Sequence, residues 1–203
     1  MDDIVVIALF RHGLTEANKR KCYLGWTDSA LCPESTWIEP LTVYDGYFSS
    51  DLERCLTTAK LLFPNGTPVQ MREFREMNFG DWEGKTYEEL KEKPLYQQWL
   101  SDPLRYSPPH GESFERFSER VDAGWTKLFN EVLSKNHQRC AVVTHGGVIR
   151  YLLTAYAPEM KDFWSWQVPH NICFELTFTR EAFRRGRRCT LLQEVPLTEN
   201  GHG

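Results

Sequence analysis

Residues 4–9 read Ile-Val-Val-Ile-Ala-Leu, apolar at every position with no polar alternation. A strand of this kind is at home only where both faces of a sheet are covered, so it points to an α/β layer structure rather than a one-sided sheet. The run passes directly into Phe10-Arg11-His12-Gly13. Polar residues delivered at the carboxyl end of a buried strand lie where open α/β sheets form their ligand crevice. The same arrangement recurs late in the chain, where the apolar run Ala141-Val142-Val143-Thr144 ends in His145-Gly146-Gly147.

Between these two units the pattern alternates strand and helix. Residues 43–48 read as a second strand, and Ser50 or Asp51 is placed to cap a helix with apolar residues at 52, 55, 56, 59, 62 and 63. A short strand is expected at 69–71, followed by an ordered loop over 74–84 rich in acids, aromatics and glycine. Thr86 and Glu89 form a capping-box pattern for a short helix. Apolar positions 114, 117, 121, 125, 128 and 132 mark one long amphipathic helix after Ser113, and residues 148–153 continue as another up to Pro158. Residues 171–178 and 190–195 alternate as an antiparallel pair at one side of the sheet, with five arginines between 180 and 188 read as a solvated hairpin. Prolines at 33 and 40 allow residues 31–40 one irregular helical turn. The expected whole is a single domain over 1–203, with a small lobe at about 82–112 covering one end of the sheet.

The chain's 203 residues are 41% hydrophobic, enough for one sizeable core, and 24 Lys and Arg stand against 28 Asp and Glu. A net charge of -4 offers no bulk attraction for nucleic acid or an anionic membrane, so neither is an expected partner. A phosphate site in such a chain has to concentrate its positive charge locally. Six cysteines are scattered without a CxxC pair, and no apolar run approaches a membrane span, so a reducing, cytoplasmic setting is expected. The constellation of Arg11, His12, Arg54, Glu76 and His145 calls for no metal and no cofactor, since two guanidiniums repel a cation and suit a phosphoryl group.

Four ordered motifs carry a resemblance. Arg11-His12-Gly13-Leu14-Thr15-Glu16-Ala17-Asn18, the segment from Ser49-Ser50-Asp51-Leu52-Glu53-Arg54 to Ala59, Arg75-Glu76-Met77-Asn78-Phe79-Gly80-Asp81-Trp82-Glu83-Gly84, and Thr144-His145-Gly146-Gly147 occur in that order. Together they resemble the histidine phosphatase superfamily, the phosphoglycerate mutase-like proteins, in its small bacterial branch. The resemblance implies a three-layer α/β/α sandwich with a mostly parallel central sheet and one antiparallel edge. It implies His12 as nucleophile through a phosphohistidine, Glu76 as general acid and then base, and Arg11, Asn18, Arg54, His145 and Gly146 as holders of the phosphoryl group. Thr15 and Ser50 are expected behind that first layer, with Trp26, Trp82, Glu83 and His110 as candidate pocket residues. The substrate is expected to be a small phosphorylated metabolite, and the resemblance allows a homodimer.

Two features depart from the family pattern. Leu14 replaces a frequent glutamate, and residues 31–37 lack the glycine and glutamine that small members carry in the helix after the first loop. Mutases of the family resemble this layout but add a carboxyl-terminal cover, whereas this chain ends soon after its last expected strand, so hydrolysis is expected over phosphoglycerate mutase-type transfer. The third reading, an inactive phosphate-binding regulatory module, is disfavoured because His12 and Glu76 are both in place.

Overall fold

A computed structural model describes residues 3–33 and 42–197. Its sheet has six strands, β1 (Ile4–Arg11), β2 (Gly46–Ser49), β3 (Val69–Gln70), β4 (Arg139–Thr144), β5 (Ile172–Thr179) and β6 (Leu191–Pro196), in the order β3-β2-β4-β1-β5-β6. The pairs β3/β2, β2/β4 and β4/β1 are parallel, while β5 runs antiparallel to both β1 and β6. The fold is thus the expected mostly parallel sheet with one antiparallel edge. β1 lies centrally and is buried on both faces: Val5, Ile7 and Leu9 enter one core, and Ala8 and Phe10 enter the other. Covering both sides is what an unbroken apolar run requires.

The first core is closed by α5 (Phe114–Ser134) and α6 (Gly146–Tyr156), through Phe117, Val121, Trp125, Leu128 and Val132 of α5 and Val148, Ile149, Leu152 and Leu153 of α6. The opposite face is closed by α2 (Glu53–Leu62), through Cys55, Ala59 and Leu62. Short helices α1 (Glu16–Lys19) and α3 (Tyr87–Leu90) each begin with a capping box, from Thr15 and Thr86. α4 (Pro94–Ser101) carries Pro94 in its first turn, where a missing N–H costs nothing. A separate small core of Trp82, Leu90, Tyr96 and Trp99 ties α3 and α4 together.

Two expectations need correction. The first helical N–H groups of α2 are not capped by Ser50 or Asp51; the residue before the helix is Leu52, and the N–H groups of Glu53 and Arg54 donate to the Asp28 carboxylate at 2.9 and 3.4 Å. A carboxylate reaching in from another loop satisfies the same orphan donors. The arginine run between the antiparallel strands β5 and β6 is solvated only at Arg184, Arg185 and Arg187: it begins with helix α7 (Arg180–Arg184), where Arg180 is buried, paired with Asp3 and donating to the His137 carbonyl. Arg188 likewise donates to the carbonyls of Ala157 and Thr154 at 2.6 and 3.0 Å. Arginines here tie off chain ends, because a guanidinium can satisfy several carbonyls at once. Most of the irregular turn expected over 31–40 lies outside the described residues.

Candidate active site

Three parallel strands end side by side and hand their next residues to one place. The N–H of His12 donates to the Thr144 carbonyl at 2.9 Å, and the N–H of Ser50 donates to the Val143 carbonyl at 2.9 Å, so ladder spacing continues one step beyond β1 and β2. His12 and His145 consequently lie with ring centroids 5.2 Å apart, both buried. Nδ1–H of His12 donates to the Gly13 carbonyl at 2.7 Å, which leaves the lone pair on Nε2. Burial, with Arg54 and Arg11 nearby, holds the His12 pKa well below its ordinary value, so the ring is neutral at physiological pH. The same causes, burial first and then Arg54, depress His145.

Positive charge concentrates around these rings. Arg54 donates through Nη2 to the Gly25 carbonyl at 2.5 Å and to His145 Nδ1 at 3.3 Å, and through Nη1 to Thr27 and Asp28. With Nδ1 accepting, His145 donates from Nε2 to Ser50 Oγ at 2.9 Å. Arg11 donates to the Val168 carbonyl at 2.5 Å, and burial lowers its pKa to about 10 against the opposing pull of Glu76. The Nε groups of Arg11 and Arg54 are buried with no partner among the described residues. Two charged donors left so cost free energy unless an anion meets them, which fits a phosphoryl group.

Glu76 faces this cluster from the 72–84 loop, and its placement is heavily determined. Oε1 accepts from the N–H of Met77 and Oε2 from the N–H of Gly147, both at 2.9 Å. Its backbone carbonyl accepts from Trp26 Nε1 at 2.9 Å and Arg120 Nη2 at 3.2 Å. A Cβ at position 147 would lie 2.2 Å from Glu76 Oε1, so only glycine permits this approach. Arg75 is engaged elsewhere, in a bidentate pair with Asp51 at 2.7 and 2.6 Å. Beside Glu76 opens a cavity of about 90 Å³ lined by Met77, Phe79, Trp99, Pro103, Phe114, Phe117, Gly147, Arg150, Phe163 and Trp164.

The remaining candidates separate by role. Thr15 and Asn18 bond each other in the α1 capping box, with Thr15 Oγ1 donating to Asn18 Oδ1 at 2.9 Å. Gly146 opens α6 against Arg11, with space for a Cβ at 3.4 Å from Cζ. Glu83 is a clamp: its carboxylate accepts from the N–H groups of Trp26, Thr27 and Phe79 at 2.8, 2.7 and 3.0 Å, fixing the loop that Arg54 holds from the other side. Trp82 and Tyr96 are buried in the small core rather than lining the cavity, and His110 is exposed, paired with Asp81. Sequence reasoning passed over His170, whose Nδ1–H donates to the His12 carbonyl at 2.7 Å, and Arg120 and Arg150. Burial lowers the His170 pKa to about 4. Arg150 carried a usable signal, lying one helical turn after Gly146, the residue that follows His145.

Among the described residues no group of three or more His, Cys, Asp or Glu has the geometry to hold a metal ion, and no helix is long and apolar enough to cross a membrane. At the strand ends of a mostly parallel α/β sheet, buried neutral histidines and guanidiniums meet a carboxylate fixed on a neighbouring loop, an arrangement with the chemistry to hold a phosphoryl group. The chain belongs to the histidine phosphatase superfamily (branch 1), whose family model matches residues 7–185. It is 32% identical over 157 residues to the adenosylcobalamin/alpha-ribazole phosphatase of Escherichia coli (strain K12), covering 71% of this chain and 75% of that one. It is 28% identical over 162 residues to the 2,3-bisphosphoglycerate-dependent phosphoglycerate mutase of Cytophaga hutchinsonii, covering 73% and 75%. The crystal structure of the alpha-ribazole phosphatase from Shigella flexneri shares the fold, with a TM-score of 0.79 over 98% of each chain at 24% identity.

Proposed function

We propose that the protein is a phosphomonoesterase that hydrolyses the phosphate ester of a small metabolite through a phosphohistidine on His12. The observation that carries this reading is the state of His12: neutral, with Nδ1–H held by the Gly13 carbonyl and Nε2 left as the bare ring nitrogen, beside the guanidiniums of Arg54 and Arg11. Nε2 attacks phosphorus while the ester P–O bond breaks, and Glu76 gives its proton to the leaving oxygen. Glu76 then takes a proton from water as that water attacks the phosphohistidine, releasing inorganic phosphate and the free imidazole. Arg11, Arg54 and His145, with Asn18 at the rim and the N–H of Gly146, stabilise charge on the phosphoryl oxygens; His145 does so by exchanging its Ser50 partner for one of them. The 82–112 lobe contributes Trp99 and Pro103 to the cavity beside Glu76 and covers that side of the site. The same reading places the enzyme in the cytoplasm, where six cysteines stay as thiols.

Release of phosphate from p-nitrophenyl phosphate, followed with and without EDTA, tests this directly. Turnover is expected to be indifferent to chelator, lost in His12→Ala, and reduced about 10²–10⁴-fold in kcat in Glu76→Gln. Because the His12 pKa lies well below 6.5, its protonation removes activity only below that pH, so the limb of kcat/KM that it sets lies at the acid side. Wild-type turnover in His12→Ala would overturn the assignment, as would trapped phosphate on a residue other than His12 after an alkaline denaturing quench, in which a phosphohistidine survives.

A further inference from the structure

The alcohol that leaves must begin at Glu76. In an in-line displacement the leaving oxygen lies opposite His12 Nε2 across phosphorus, and the group that protonates it must be within hydrogen-bond reach. The carbon body joined to that oxygen therefore starts beside the Glu76 carboxylate. The cavity that Glu76 and Gly147 share begins at that point, while His12, His145, Arg11 and Arg54 lie outside its lining.

Its chemistry is narrow. Phe79, Trp99, Phe114, Phe117, Phe163 and Trp164 form its walls, and among the described residues its charged side chains are Glu76 and Arg150, whose Nε donates to the Trp166 carbonyl at 3.0 Å. Among the described residues no Ser, Thr, Asn or Gln side chain lines it. Trp99 Nε1, buried without a partner among the described residues, is the one indole donor on a buried wall. Hydroxyls of a glycerate or a sugar would lose their water here and find few partners besides Glu76, Arg150 and Trp99 Nε1. An apolar ring or branched chain gains from the same walls. Trp164 is 50% exposed, so the cavity opens outward past it and admits a body larger than about 90 Å³.

We propose that the substrate is the phosphate monoester of an aromatic or bulky apolar alcohol, whose carbon body is seated beside Glu76 against the wall that Phe114, Phe163 and Trp164 form together. This rests on the phosphomonoesterase reading for its orientation, but it is tested by binding alone. Calorimetric titration with benzylphosphonate and methylphosphonate, neither of which can be hydrolysed, compares the two leaving-group sides at a constant phosphoryl end. Benzylphosphonate is expected to bind at least tenfold more tightly to the wild-type protein. Trp164→Ala and Phe163→Ala are each expected to cut that advantage threefold or more while methylphosphonate affinity holds within twofold. Equal affinities in the wild-type protein would overturn the apolar seat, and so would variants that weaken both phosphonates alike. If the phosphonates discriminate as expected but no phosphate ester turns over, the seat stands and the catalytic reading falls.

Discussion

Position 147 shows how a single atom governs the site. The N–H of Gly147 donates to Glu76 Oε2 while the missing Cβ leaves room for Oε1, so one residue both holds and admits the carboxylate. Gly147→Ala is expected to push the Glu76 carboxylate aside and lower kcat about 10²-fold, a typical consequence of misplacing a reacting group by an ångström. Steady-state kinetics alongside a thermal melt checks this; an unchanged kcat would mean that Glu76 tolerates displacement and does not act at the leaving oxygen. The late Thr-His-Gly-Gly motif made this glycine visible in sequence, but not its reason. His170 had no such mark, since a histidine before a strand is ordinary until the fold sets it on the His12 carbonyl.

Charged residues at element ends illustrate what local pattern leaves out. Five arginines between 180 and 188 look alike in sequence, yet Arg180 is buried against Asp3 and the His137 carbonyl while Arg185 makes only an exposed pair with Glu181. Arg180→Met is expected to cost about 1–3 kcal/mol, and Arg185→Met less than about 0.5 kcal/mol, read as urea midpoints. Equal effects would show that the buried pair carries no more than the exposed one. α2 makes the same point from its other end. Its orphan N–H groups were expected to meet a neighbour in sequence, and they meet Asp28, some 25 residues earlier, because the 25–28 loop is lashed down by Arg54 and Glu83. Helices with strong internal signals were read well: α5 by its apolar stripe and α3 by its capping box, whereas the single turn of α1 went unread.

Across the molecule, two large cores sandwich the sheet, while the small core of Trp82, Leu90, Tyr96 and Trp99 stands apart beside the cavity. Few buried side chains secure that lobe, so it is expected to open at lower free energy than the sheet. Native-state hydrogen exchange should find the amides of α3 and α4 exchanging before those of β1, β4 and α5; protection equal to that of the sheet would show one cooperative unit. The unbroken apolar run of β1 and the period of α5 determined the layer architecture by themselves, and the four motifs named the residues that the fold gathers at the strand ends, because burial on both faces and a strand-end histidine are local demands written in consecutive residues. Only the tertiary structure decided that Asp28 caps α2, that Arg120 and Trp26 anchor Glu76, and that the aromatics at 114, 117, 163 and 164 wall the cavity while Trp82 is buried in the small core. Those contacts join residues tens of positions apart, and no local pattern records which buried faces will meet.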